Sequence, residues 1–147
     1  GFFSQIADTS HISTESGGWL IPDYWHPSEI TAPHTSLNHQ ASECLALYHA
    51  SDLFDREDLR ALADRMLLAI EDTGSRWGMP DHNLYYSIKP DGTYVEGDYP
   101  YLTYNDLLYL RKYLTGFGKT ENETLTYLMG EKLQWMQRHG VTGYEKS

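Results

Sequence analysis

The residues best suited to chemistry are carboxylates and tyrosines that share loops. Glu29, Asp72, Asp81, Glu96 and Asp98 all fall in segments that read as loops, where binding groups concentrate. Tyr85, Tyr86, Tyr99 and Tyr101 lie in the same stretches. Such groups suit general acid–base work. A phenol titrates near 10, so it must be tuned by cations or hydrogen bonds before it can shuttle protons. The structural alternative is that these rings pack a rim and bond to backbone. For any one tyrosine taken alone, that alternative is favoured.

Other chemistries find less support. His26, His34 and His39 cluster near Glu29, a set that could ligate a metal. Two of the three fall in loop, one on a helix, and no pair has HxxxH spacing, so they read as polar surface histidines and no metal or other cofactor is expected. The single cysteine, Cys44, lies on an apolar helical stripe and reads as a small core residue. It excludes an internal disulfide and a multi-cysteine zinc site. No G-x-S-x-G and no phosphate-cradling glycine loop occurs.

The elements that must position these groups are mostly helical. Leu37, Ala41, Cys44, Leu45 and Tyr48 form one stripe and predict a helix over 36–54, capped by Ser36. Leu59, Leu62, Ala63, Met66 and Ile70 predict a second over 55–71, capped by Asp55 with Asp58 completing a capping box, and stopped at Asp72–Ser75 with Gly74 able to take a left-handed conformation. Leu107, Leu110 and Leu114 predict a third over 103–115. Leu125, Met129, Leu133 and Met136 predict a fourth over 121–139, with Thr120 and Glu123 as its capping box. Asn122-Glu123-Thr124 also fits a glycosylation sequon, but its place at a helix start gives that little weight. Short links make two αα-hairpins. Between them, 84–88 and 93–95 read as a β-hairpin around the turn Lys89-Pro90-Asp91-Gly92. Residues 1–35 read as an irregular segment rich in aromatics. The fold class expected is mainly α: two αα-hairpins of an incomplete (α/α) barrel or toroid with a small β-hairpin insertion. The 147 residues read as a single domain of this type or a fragment of one. Gly1 in place of Met points to a processed chain or a piece of a longer one. Two hairpins cannot close a ring, so either a homo-oligomer or further helices of a longer chain would complete it.

Composition bounds the partners. Eleven Lys and Arg against 21 Asp and Glu give a net charge of −10, which disfavours nucleic acid and anionic membrane. No apolar run approaches the roughly 20 residues that span a bilayer, and no signal peptide is read. Twelve tyrosines and four tryptophans suit a carbohydrate partner, since such rings stack on pyranose faces. A Tyr-rich core and surface explains them equally well. The compartment is left open.

Taken in order, the motifs resemble the C-terminal (α/α) domain of the D-glucuronyl C5-epimerase family. The pieces are Gly17-Gly18-Trp19; Trp25, Glu29 and Pro33 before Leu37-Asn38; Leu47-Tyr48; Asp72 to Ser75; Tyr85 to Lys89; and Asp98-Tyr99 followed by Asn105, Leu107 and Leu110. They span roughly 17–115. The resemblance implies an isomerase that removes and returns the C5 proton of a uronic acid residue in a polysaccharide. By match to the family's positions, Tyr99, Tyr86 and Glu29 would be catalytic. Lys89 would bind the uronate carboxylate, with Asn38, Trp25, Tyr85 and Tyr101 as further substrate contacts. The chain departs from the family at Ile30, His39, Pro100 and Thr103. It also has Lys89 where the family has an arginine, which loses bidentate carboxylate recognition. The charge of −10 argues against a strongly anionic polymer. Two alternatives stand beside this reading. One is an (α/α)-toroid glycoside hydrolase or polysaccharide lyase, with Glu29 and Asp81 or Asp98 as the hydrolase pair. The other is a non-catalytic sugar-binding or assembly module.

Overall fold

The computed structural model describes residues 11–24, 33–116 and 121–146. Among them the chain is mainly helical, with four α-helices and two small antiparallel sheets. Helix α1 (Leu37–Phe54) buries Leu37, Ala41, Cys44 and Tyr48, the stripe that the spacing predicts. The Cys44 thiol donates to the Ala63 carbonyl, and burial pushes its pKa far up, as befits a core residue. Helix α2 (Glu57–Thr73) answers with Leu62, Ala63, Met66, Ala69 and Ile70. Helix α1 packs on both α2 and α3 (Leu102–Gly116), and α3 packs on α4 (Glu123–Arg138). Both expected αα-hairpins are therefore present. No described helix is long and apolar enough to cross a membrane.

Three caps differ from expectation. Asp55 does not start α2. It ends α1 in the left-handed conformation (φ 51°), its N–H bonded to the Ser51 carbonyl. A reversal within two residues needs such a residue, and aspartate tolerates it better than most. Helix α2 starts two residues later, where Glu57 and Asp58 complement the positive end of its dipole. Ser36 precedes α1 but makes no side-chain cap bond. At α4 the cap is Asn122, whose side chain accepts from the Leu125 N–H at 3.0 Å. Thr120 lies outside the described residues.

The part of 1–35 that is described is more ordered than its composition suggests. Strands β1 (Ile12–Ser13) and β2 (Trp19–Leu20) pair as a hairpin. Asp72, expected in a loop, lies in the last turn of α2 and holds that hairpin. Its Oδ2 accepts from Thr14 Oγ1 at 2.6 Å and from the Ser16 N–H at 2.8 Å. Gln40 of α1 ties the hairpin to α2, accepting from the Ile21 N–H and donating to the Trp19 and Met66 carbonyls. Gly18 lies against α2 so closely that an added Cβ would collide with the Ala69 backbone. Gly18→Ala is expected to cost about 1–3 kcal/mol in a urea melt, because backbone cannot yield as a side chain can.

The second sheet builds the site. Strands β4 (Ser87–Ile88) and β5 (Tyr94–Val95) form the expected hairpin, shorter than predicted, around a turn in which the Gly92 N–H bonds to the Lys89 carbonyl and Gly92 has φ 88°. A third strand, β3 (Thr35–Ser36), pairs with β4 and runs straight into α1. The Leu37 N–H then bonds to the Tyr86 carbonyl, and the Tyr86 N–H to the Val95 carbonyl. Tyr86 is thus fixed by backbone on both sides.

Candidate active site

Tyr86 emerges where β3, β4 and α1 meet, and its ring is bracketed by two others. Tyr99 meets it edge to face at 5.7 Å and His34 lies 5.7 Å away on a tilted plane. Beside Tyr86 a cavity of about 550 Å³ opens between Tyr24, Pro33 and His34 on one side and the turn Lys89–Asp91 on the other. Its volume suits a small ligand or one sugar unit of a chain.

Behind the cavity a carboxylate organises two imidazoles. Asp23 is almost fully enclosed, and its Oδ1 accepts from the Ser36 N–H at 2.7 Å. Its Oδ2 lies 3.3 Å from His34 Nε2 and 3.1 Å from His39 Nδ1. The Asp23 N–H returns a bond to the His34 carbonyl. One carboxylate therefore fixes the start of α1 and both ring orientations. One helical turn beyond His39, burial pushes the Glu43 carboxyl up to about 7, against the pull of His39. On α3, burial likewise raises Asp106 to about 6, again opposed by His39. Both can hold a proton close to neutral pH, a property common at functional sites.

The Tyr86 phenol is raised as well. Burial is the main cause, followed by the potentials of Tyr99 and Asp23. A tyrosine tuned to act as a base would need the opposite shift. Tyr86 is neutral at physiological pH and equipped to donate a proton.

The residues singled out from sequence divide by location. Tyr86 and Lys89 line the cavity, and Tyr99 abuts Tyr86. Tyr85 does not join them: it packs on Tyr94, 5.4 Å away, toward the core. The Tyr85 N–H bonds to the Trp77 carbonyl and the Tyr86 N–H to the Val95 carbonyl, so the two neighbours are tied to different parts of the fold. Tyr101 lies against Gly143 of the C-terminal segment, outside the cavity lining. Asn38 is buried in the first turn of α1. Trp25 and Glu29 lie outside the described residues. Asp81 caps a local turn through the Asn83 N–H, and Asp98 is enclosed in an ion pair with Lys132. Asp23, Glu43 and Asp106 were missed, and His34 and His39, read as surface residues, turn out to share one carboxylate. The His39–Glu43 spacing of four on a helix was the one visible signal. Among the described residues no three His, Cys, Asp or Glu side chains are grouped to hold a metal ion.

Glu43 gives a signed pH prediction. Its folded pKa lies above the usual carboxylate value, so the folded state binds the proton more tightly. Stability falls as pH rises from the ordinary carboxylate range through about 7. Glutamine mimics the protonated form. Glu43→Gln is therefore expected to raise the melting temperature at about pH 8 and leave it nearly unchanged at about pH 4. Equal effects at both pH values would refute the assignment.

No known family model, curated protein or solved structure matches the chain.

Proposed function

We propose that the Tyr86–Tyr99 cleft handles a carbohydrate and transfers a proton at C5 of a uronic acid residue in a polysaccharide, as a uronate epimerase does. The helical hairpins would then be part of a larger (α/α) toroid. The observation that carries the reading is convergence: Tyr86, His34 and Lys89 line one cavity and Tyr99 stands against Tyr86. The C5 proton is acidified only by the adjoining carboxylate, so that group must be neutralised as the enolate forms. Lys89, exposed on the hairpin turn, supplies a single cation for it, enough for one uronate but not for a densely charged chain. Tyr86 returns a proton on one face. Tyr99, 44% exposed, reaches the substrate from the solvent side and is the carrier for the other. Tyr24, half exposed at the cavity edge, offers a ring for a neighbouring sugar to stack on.

The raised Tyr86 phenol favours a second reading, a sugar-binding module without catalysis. One experiment separates them. Uronan polymers are incubated with the protein in deuterium oxide, and binding and C5 deuterium content are both measured. Exchange at C5 supports the catalytic reading. Binding without exchange by any uronan leaves only the sugar-binding module. Neither binding nor exchange removes both.

A further inference from the structure

Helix α4 places a lysine on its buried face. Lys132 shares that face with Leu125, Leu128, Met129 and Met136, and its side chain is fully enclosed. A buried ammonium is costly unless it is paired and hydrogen-bonded. Lys132 Nζ sits 2.8 Å from Asp98 Oδ2, donates to Asn83 Oδ1 at 2.6 Å, and lies 4.4 Å from the Trp135 ring centre. The two oxygen partners belong to different loops. Asn83 stands three residues before Tyr86, and Asp98 immediately precedes Tyr99. The second oxygen of Asp98 accepts from Thr103 Oγ1 at 2.5 Å, which pins the same loop to the first turn of α3. The neighbour of Lys132 acts in parallel: Glu131 meets His82 Nδ1 at 2.5 Å. His82 has φ 73°, a conformation that a non-glycine residue keeps only where its surroundings over-determine it. None of these residues lines the cavity.

We infer that Lys132 is a positioning residue, setting the placement of the Tyr86 and Tyr99 rings by tying the loop before each to α4. The inference rests on the reading of those two tyrosines as the working pair. An apolar residue in place of a buried ion pair is often as stable or more so, so stability alone does not account for a lysine at this position. Geometry does: a single ammonium reaches two separate loops at once, which a leucine cannot do directionally.

The test reads the ring contact and not the activity. The full chain carries isotope-labelled tyrosine, and the nuclear Overhauser effect between Tyr86 and Tyr99 is measured by NMR. The paired variant Asp98→Asn with Lys132→Met removes both buried charges at similar volume. A milder variant, Asn83→Ala, removes one hydrogen bond and leaves the ion pair. Both are expected to retain helical circular dichroism. A ring displacement of about 1 Å from 5.7 Å lowers the effect more than about twofold, because it falls with the sixth power of distance. That loss is expected in the paired variant, and a smaller one in Asn83→Ala. An unchanged effect in a folded paired variant overturns the inference. If the paired variant does not fold, an unchanged effect in Asn83→Ala overturns it. C5 deuterium exchange measured on the same samples keeps the two readings apart. A contact that is lost on mutation in a chain that never catalyses exchange sinks the reaction and leaves the positioning role standing.

Discussion

Replacing Asp98 with alanine is expected to destabilise the fold by about 3–5 kcal/mol, the cost of leaving a buried charge without its partner. The reason is enclosure. The Asp98 and Lys132 side chains are 1% and 0% exposed, so neither can be solvated when its partner is lost. Burial already raises the Asp98 pKa and lowers that of Lys132, in each case against the other's attraction. Without Asp98, the lysine must give up its proton or remain charged in an apolar setting, and either course costs free energy. The Thr103 hydroxyl loses its acceptor at the same time. The Arg56–Asp58 pair has comparable distances but side chains 51% and 59% exposed, and its removal is expected to change stability little. Urea denaturation near pH 7 measures both. A loss below about 1 kcal/mol for Asp98→Ala would mean that water reaches the pair. Leucine at 98 combined with methionine at 132 should recover most of the loss, since no uncompensated charge remains.

That buried lysine also shows how far the sequence could be read. Leu125, Met129 and Met136 marked the apolar face of α4, and Lys132 falls on the same face at helical spacing. A lysine there demands a buried anion from elsewhere in the chain. The spacing says that one is needed and cannot say which, because Asp98 is 34 residues away and is supplied by tertiary contact alone. The helices were legible because their stripes are local. The turn at Lys89–Gly92 was legible because Pro-Asp-Gly encodes its dihedral angles. Strand β3 was not, since two residues have no period. The site divides in the same way. Tyr86, Tyr99 and Lys89 were picked out by the order of their motifs. Asp23 gave no local sign, and its role comes from two histidines, 11 and 16 positions on, that fold back onto one oxygen. The run 84–88 reads as one strand, but only Ser87–Ile88 is paired as strand, and the separation of Tyr85 from Tyr86 comes from tertiary packing.

Removing the Tyr86 hydroxyl is the sharpest test of the proposed chemistry. Under the proton-transfer reading, Tyr86→Phe should lower the rate of C5 deuterium exchange by about 10²–10⁴-fold, the range over which a positioned acid or base contributes. Tyr99→Phe should do the same. The ring packing of each is kept by phenylalanine, so the melting temperature should move little while the rate collapses. The pH profile adds a sign. A phenol that must be protonated to donate loses function as pH rises through its pKa. Burial and the potentials of Tyr99 and Asp23 raise the pKa of Tyr86, so this loss should fall above the ordinary phenol value of about 10. The basic limb should vanish in Tyr86→Phe along with most of the rate. A wild-type limb well below 10 that survives in Tyr86→Phe would assign the titrating donor to another group. Glu43 and Asp106, raised to about 7 and about 6, would then be the residues to replace next.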